Sequence, residues 1–376
     1  NKSHNGEAPR IIISGGGTGG HIFPAVSIAN AIKELRPDAE ILFVGAEGRM
    51  EMQRVPDAGY KIIGLPVAGF DRKRLWKNFA VIIKLLRSQL KARRILKEFH
   101  PQVAVGVGGY ASGPTLWAAT AQGVPALIQE QNGFAGVTNK MLARRVEAVC
   151  VAYDGMERFF PADKIVMTGN PVRQALCQCE ATREEAVRFF DLDPAKKTLL
   201  VIGGSLGART INRSIAAGID DLVAHDIQLI WQTGKIYDAE AKSLLAEKKN
   251  VAGVRQMPFI SRMEMAYKAA DLVVSRAGAS SISEICLLGK AAIFVPSPNV
   301  AEDHQTKNAM ALSSRGAALL VPDADAPATL VSQAIEMIES PEKLARMAQA
   351  AGNMAQRDSA ARIVDVLCRI INISSK

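Results

Sequence analysis

Two stretches of the chain put glycine-rich turns where backbone amides can hold an anion. Ile11-Ile12-Ile13-Ser14 runs into Gly15-Gly16-Gly17-Thr18-Gly19-Gly20-His21, and Leu199-Leu200-Val201-Ile202 runs into Gly203-Gly204-Ser205-Leu206-Gly207-Ala208. Each reads as a buried strand, a tight turn and a helix start. Such a turn aims backbone N–H groups at one spot, with the positive end of a helix dipole behind them, which suits phosphate or diphosphate. A third cluster, Gly106-Val107-Gly108-Gly109-Tyr110-Ala111-Ser112-Gly113-Pro114, follows another apolar strand and would line the same sheet edge as the first. The two strand-turn-helix units predict two similar α/β domains facing each other across a cleft.

The first turn also excludes something. Gly15-x-Gly17-x-x-Gly20 matches the dinucleotide fingerprint, yet the acid expected at the end of the second strand is missing: that strand ends in Val44-Gly45, and Glu47 lies beyond it. A nicotinamide enzyme is therefore disfavoured, and no cofactor is indicated. Asp191-x-Asp193 and Asp323-x-Asp325 imitate the Asp-x-Asp element of metal-dependent sugar transferases, but each lies beside proline in a predicted surface turn, so no metal site is expected.

The elements that must position these turns follow from short apolar runs. Strands are predicted at 10–14, 40–44, 61–65, 103–107, 126–129, 148–152 and 165–168, and again at 198–202, 227–232, 254–257, 272–275, 291–295 and 317–321. Helical patterns separate most of them, which implies parallel sheets covered on both faces. Gly169-Asn170-Pro171 marks the junction, so residues 1–172 form one domain and 173–356 the next. The segment from Pro341 to Ile371 reads as helical, its end (357–376) packing back across the junction.

The chain has 376 residues, 48% hydrophobic and 22% charged, as expected for a globular protein of two domains. Five cysteines without a Cys-x-x-Cys pair argue against a disulfide framework or structural zinc, and the polar residues 1–9 carry no signal pattern, so a cytoplasmic setting is expected. The net charge of +9 is concentrated between Asp71 and Glu98, where ten basic residues interleave with Leu75, Trp76, Phe79, Ile82, Ile83, Leu86 and Leu90 at helical spacing. One reading is a core-packed helix with a solvated basic face. The other is adsorption to anionic membrane lipids, with Arg72, Lys73 and Arg74 at the headgroups and Leu75, Trp76 and Phe79 dipping into the interface. Nucleic acid is not an expected partner, since only 5% of residues are aromatic and no binding module is present.

Seven motifs in one order carry a resemblance: Gly16 to Pro24, Gly108 to Pro114, Glu130-Gln131-Asn132, Gly169 to Arg173, Gly203 to Ala208, Arg276 to Glu284, and Asp303 to Ala309. From about residue 10 onward the chain resembles the MurG family of N-acetylglucosaminyltransferases. The resemblance implies the GT-B fold, two Rossmann-like parallel-sheet domains. It implies inverting transfer of N-acetylglucosamine from UDP-N-acetylglucosamine to the 4-hydroxyl of an undecaprenyl-diphosphate-linked N-acetylmuramyl-pentapeptide, on the cytoplasmic face of the bacterial inner membrane.

Residue by residue, it implies donor contacts at Arg173, Ser205, Ile260, Ala279, Ser280, Ser281, Ile282, Ser283, Glu284 and Gln305, with Thr18, Gly19, Gly20 and Asn132 from the other domain. Ser205 would hold the diphosphate, the Ile260 backbone would read uracil, Glu284 would accept from ribose hydroxyls and Gln305 would bond the sugar. Gly108, Gly109, Tyr110 and Ser112 would meet the acceptor diphosphate. Histidine suits the acceptor's proton at neutral pH, which makes His21 the candidate base, with Glu130 next. The alternative for His21 is a hydrogen bond to phosphate or backbone alone. Gln129 stands where many members carry His, so no imidazole is available there, and Leu206 replaces a Gln found in some. Two other functions stay open: a GT-B enzyme with a different lipid or small acceptor, and a non-catalytic membrane scaffold.

Overall fold

The computed structural model describes residues 8–67, 78–203, 208–300 and 303–372. The chain divides into two compact units, Asn1–Arg173 with Gln356–Lys376, and Gln174–Ala355. The first unit runs β1 (Arg10–Ser14), α1 (Gly19–Leu35), β2 (Glu40–Ala46), α2 (Glu51–Asp57), β3 (Lys61–Leu65), α3 (Asn78–Phe99), β4 (Val103–Gly106), α4 (Ser112–Ala121), β5 (Ala126–Glu130), α5 (Val137–Leu142), β6 (Ala148–Val151) and β7 (Ile165–Met167). Its seven strands are ordered β3-β2-β1-β4-β5-β6-β7, and every neighbouring pair is parallel. Alternation along β1 explains the two-sided core. Ile11 and Ile13 join one apolar cluster and Ile12 the other, all three essentially without solvent contact.

The second unit contains α6 (Gln174–Cys177), α7 (Arg183–Phe189), β8 (Lys197–Ile202), α8 (Arg209–Ala217), α9 (Ile219–Ala224), β9 (Ile227–Gln232), α10 (Asp238–Glu247), β10 (Val254–Met257) and α11 (Met263–Ala269). It continues through β11 (Leu272–Ser275), α12 (Ala279–Leu287), β12 (Ala292–Phe294), α13 (His304–Ser313), β13 (Leu319–Leu320), α14 (Ala326–Ile338) and α15 (Pro341–Asn353). The strand order β10-β9-β8-β11-β12-β13 repeats the doubly wound pattern. Leu199 and Val201 face one cluster, Leu200 and Ile202 the other.

Strands occur at all thirteen predicted places. β13 is only two residues long, because as an edge strand it pairs solely with Ile293 and Phe294. The carboxyl-terminal segment is not one helix. α15 ends at Asn353, Asp358 adopts the left-handed region at φ 57°, and α16 (Ser359–Ile370) begins anew. α15 stays in the second unit, while Ile363, Val364 and Leu367 of α16 join Ile28 and Ile32 of α1 in the core of the first.

In each unit the chain reverses its winding direction between the first and fourth strands, β1 and β4 in one and β8 and β11 in the other. Loops leaving the carboxyl ends of those strands form the crevice where open α/β sheets bind ligands. In the first unit the glycine turns after β1 and β4 lie on these loops.

Candidate functional site

In the first unit the turn after β1 and the turn after β4 press together. A side chain at Gly15 would meet Val107 Cγ2 at 2.2 Å, and one at Gly109 would meet the Gly16 carbonyl oxygen at 2.4 Å. Gly109 also has φ +91°, so glycine is demanded there by conformation and by space. The amides of Gly15 and Gly16 donate to the carbonyls of Val44 and Gly108, at 3.4 and 3.3 Å. Gly17 N donates to the carboxylate of Glu51 at 2.8 Å. Thus the first three amides of the turn are used internally. Those of Thr18, Gly19 and Gly20, at the start of α1, have no acceptor among the described residues, and Thr18 makes no side-chain cap.

His21 lies in the first turn of α1, half-buried. Its Nδ1 is 3.0 Å from the Gly16 carbonyl oxygen and 3.4 Å from Thr18 Oγ1. A carbonyl only accepts, so this contact is a hydrogen bond when Nδ1 carries the proton, which places the lone pair on Nε2. The ring rests on Gly108, where an added Cβ would meet Nε2 at 2.9 Å. The backbone contact foreseen as an alternative for His21 is present, through Nδ1.

Glu130 is held by its own loop. Its Oε1 accepts from Asn132 N and Nδ2 at 3.1 and 3.3 Å, and its Oε2 from Gly136 N and Asn139 Nδ2 at 3.0 and 2.9 Å. Four donors on a carboxylate only 2% exposed make it the organiser of the loop after β5. Around it Gln129 Nε2 donates to Asn170 Oδ1, Asn170 Nδ2 to the Gln131 carbonyl, and Gln131 Nε2 to the Val107 carbonyl, at 2.8, 2.9 and 2.8 Å. Ser112 is fully buried, its Oγ packed under Gly106 without a partner. Tyr110, by contrast, is exposed. Arg173, expected to open the second domain, falls in the first unit and stacks over Phe23 of α1 at 5.4 Å.

In the second unit α12 begins after β11 without a side-chain cap, and the amides of Ala279, Ser280 and Ser281 have no acceptor among the described residues. Ser280 Oγ is buried and unpartnered. One turn on, the buried Glu284 accepts from Tyr267 Oη at 3.1 Å through Oε2. Ile282 packs in the core, leaving only its backbone for contact, and Ser283 Oγ donates to the Ala279 carbonyl at 2.9 Å. Ile260 N donates to Gln232 Oε1 at 2.9 Å, so its carbonyl is the group left for a base edge. Gln305 Oε1 accepts from Ser297 N at 2.9 Å, which leaves the NH2 group as the carboxamide's donor. Asp323 accepts from Thr210 Oγ1 at 2.9 Å and from Arg276 Nη1, tying α8 to the ends of β11 and β13.

Ser205 of the diphosphate turn lies outside the described residues, as do Arg72, Lys73, Arg74, Leu75 and Trp76; of Phe79 only the helical backbone is described. Sequence reasoning missed Glu51, Gln232, Tyr267 and the Asp323 to Arg276 pair. Glu47, the acid weighed at the end of β2, pairs with Lys91 at 2.8 Å instead. No periodicity marks Glu51; its role depends on α2 folding back beneath the first turn.

Residues 11–151 match the glycosyltransferase family 28 N-terminal domain, and residues 198–363 its C-terminal domain. The chain is 62% identical to a Bacteroides fragilis protein named UDP-N-acetylglucosamine--N-acetylmuramyl-(pentapeptide) pyrophosphoryl-undecaprenol N-acetylglucosamine transferase, over 98% of each chain. A Porphyromonas gingivalis protein of the same name is 53% identical over 96% of each. Among solved structures it is similar to Acinetobacter baumannii MurG, at 28% identity and TM-score 0.76, covering 96% of this chain and 99% of that one. A Staphylococcus aureus MnaA–UDP structure, 12% identical at TM-score 0.68 and covering 98% of each chain, shares the fold.

Proposed function

The chain belongs to the MurG family within glycosyltransferase family 28, and on that premise we infer its reaction and the residues that perform it. It is a GT-B enzyme that transfers N-acetylglucosamine from UDP to the 4-hydroxyl of undecaprenyl-diphosphate-linked N-acetylmuramyl-pentapeptide, a step of peptidoglycan synthesis. Attack of that hydroxyl on the anomeric carbon builds charge on the β-phosphate of UDP and frees one proton. Two groups of residues answer these demands.

The second unit takes the donor. The start of α8, which follows the glycine-rich sequence containing Ser205, suits the leaving diphosphate through its helix dipole. Glu284, oriented by Tyr267, accepts from the ribose hydroxyls, with Ser280 and the first amides of α12 beside it. The Ile260 carbonyl meets the uracil edge, and the NH2 of Gln305 donates to the sugar. The first unit takes the acceptor: the amides of Thr18, Gly19 and Gly20, with Tyr110, suit its diphosphate. Arg173, expected with Thr18, Gly19 and Gly20 among the donor contacts, is assigned here with them because it lies in the first unit over Phe23 of α1. His21 Nε2 takes the hydroxyl proton. The observation that carries this assignment is the Nδ1 hydrogen bond to Gly16, which puts the basic lone pair on Nε2 at an anion-binding helix start. Glu130, saturated by four donors, holds the neighbouring loop instead.

The partner surface is an anionic bilayer. Ile83, Leu86 and Leu90 form an exposed stripe on α3, the latter two 62% and 64% accessible, flanked by Lys84, Arg87 and Arg93. Each such cation contributes about 1 kcal/mol near anionic headgroups. Among the described residues no helix is long and apolar enough to cross a membrane.

The test is UDP release from UDP-N-acetylglucosamine with the muramyl lipid as acceptor. Release that depends on the lipid and is lost in His21→Ala supports the assignment. Full turnover by His21→Ala removes His21 as base, and release with some other acceptor alone overturns the substrate.

A further inference from the structure

Glu51 is a buried acid for which the reaction has no direct use. It is the first residue of α2, has no solvent exposure, and lies against Gly16 so closely that a Cβ there would meet its carboxyl carbon at 2.2 Å. Its Oε1 accepts from Ala46 N at 2.9 Å and its Oε2 from Gly17 N at 2.8 Å. The Gly17 amide belongs to the same peptide unit as the Gly16 carbonyl, and that carbonyl accepts from His21 Nδ1 at 3.0 Å. One peptide plane therefore carries a carboxylate on its N–H side and an imidazole on its C=O side.

We propose that Glu51 is a positioning residue for His21, acting through the Gly16–Gly17 peptide to keep the imidazole proton on Nδ1 and the lone pair on Nε2. The peptide needs such a hold. It is flanked by Gly16 at φ +151° and Gly17 at φ +88°, residues with no Cβ to restrict rotation, so the plane can turn over and point its N–H at the ring. A ring facing an N–H would keep its lone pair on Nδ1 and its proton on Nε2, the reverse of what a base needs. The carboxylate prevents this, since it can only accept and is anchored at Ala46. It also polarises the peptide, strengthening the bond on the far side. The logic is that of an acid orienting a catalytic histidine, with a peptide group inserted between them.

The proposal rests on His21 as the base, and its test separates the two. In 15N-histidine-labelled protein, with the His21 signals assigned by their loss in His21→Gln, the wild type is expected to show a protonated Nδ1 and an unprotonated Nε2. Glu51→Gln keeps the volume but can satisfy only one of the two amides. It is expected to draw the two nitrogen shifts together and to lower kcat by about 10- to 100-fold, the loss met when a partner that orients a metal-bound histidine is removed, with the KM for UDP-N-acetylglucosamine unchanged. A wild-type ring protonated at Nε2 overturns the proposal without any variant. So does a folded Glu51→Gln protein with unaltered His21 shifts and unaltered kcat. Full turnover by His21→Ala would instead overturn the base assignment and leave the hold of Glu51 on the ring to the spectra.

Discussion

Replacing Asp323 by alanine tests whether the second unit depends on one polar clamp at its switch point. Asp323 Oδ2 accepts from Thr210 Oγ1 at 2.9 Å, and Oδ1 pairs with Arg276 Nη1. The side chains of Arg276 and Asp323 are only 16% and 19% exposed, so water compensates little for the loss. Hydrogen bonds to charged groups contribute roughly 1.5–3 kcal/mol each, and breaking a fully buried pair costs about 3–5 kcal/mol. Arg276 keeps the carbonyls of Val295 and Pro296 at 3.0 and 3.1 Å, which softens the penalty. The expected cost of Asp323→Ala is therefore about 2–4 kcal/mol, and that of Thr210→Val about 1–2 kcal/mol. For a unit of this size the first figure lowers its melting transition by roughly 5–12 °C. Calorimetry on the whole chain, with the two units allowed separate transitions, measures it. UDP affinity should fall in parallel, because Thr210 lies in the first turn of α8. Adding Arg276→Met removes the stranded cation and should recover part of the loss. A shift within about 0.5 kcal/mol of zero, as for an ordinary surface change, or a double variant no better than the single one, would refute the reasoning.

Gly109→Ala forces a Cβ to 2.4 Å from the Gly16 carbonyl oxygen at φ +91°, and should destabilise the first unit by about 2–4 kcal/mol and abolish turnover; chemical denaturation and UDP release check this. Burial holds the Lys290 ammonium down to about 8 from the ordinary 10.5, with Asp271 opposing. Below pH 8 the folded state bears the cost of a buried charge; between 8 and 10.5 the native group has shed a proton that the unfolded chain retains, so this contribution to stability rises with pH. Lys290→Met should thus raise the second unit's melting point at pH 7, by roughly 2 kcal/mol in stability, and the gain should shrink toward pH 10.5. Burial pushes the Cys150 and Cys286 thiols up to about 12, whereas Cys177 is exposed. A thiol reagent at pH 8 should label Cys177 in the native protein and reach Cys150 and Cys286 only on unfolding, which mass spectrometry of the labelled peptides resolves.

Much of the fold was legible in the sequence because strand, turn and helix are local patterns. Ile11 to Gly20 announces a buried parallel strand entering a helix, and Leu199 to Ala208 repeats it; apolar runs and glycines suffice to set both. Where a strand depends on neighbours, as at β13, its length did not follow from its own residues. The carboxyl-terminal helical pattern was visible, yet its division at Asp358 and the return of α16 to α1 come from packing of Ile363 and Leu367 on a surface some three hundred residues earlier. The site divides the same way. Residue type and its place at the end of the first glycine turn marked His21, the family resemblance marked Glu284, and glycine content marked the turns. Which amides remain available, which nitrogen of His21 holds its proton, that Glu130 is saturated, that Ser112 is buried and that Glu51 underlies the first turn depend on partners distant in sequence. A hydrogen bond is satisfied or left open only in three dimensions, so the sequence alone determined the chemistry on offer, and the tertiary structure decided which groups are engaged with one another and which are presented to substrate.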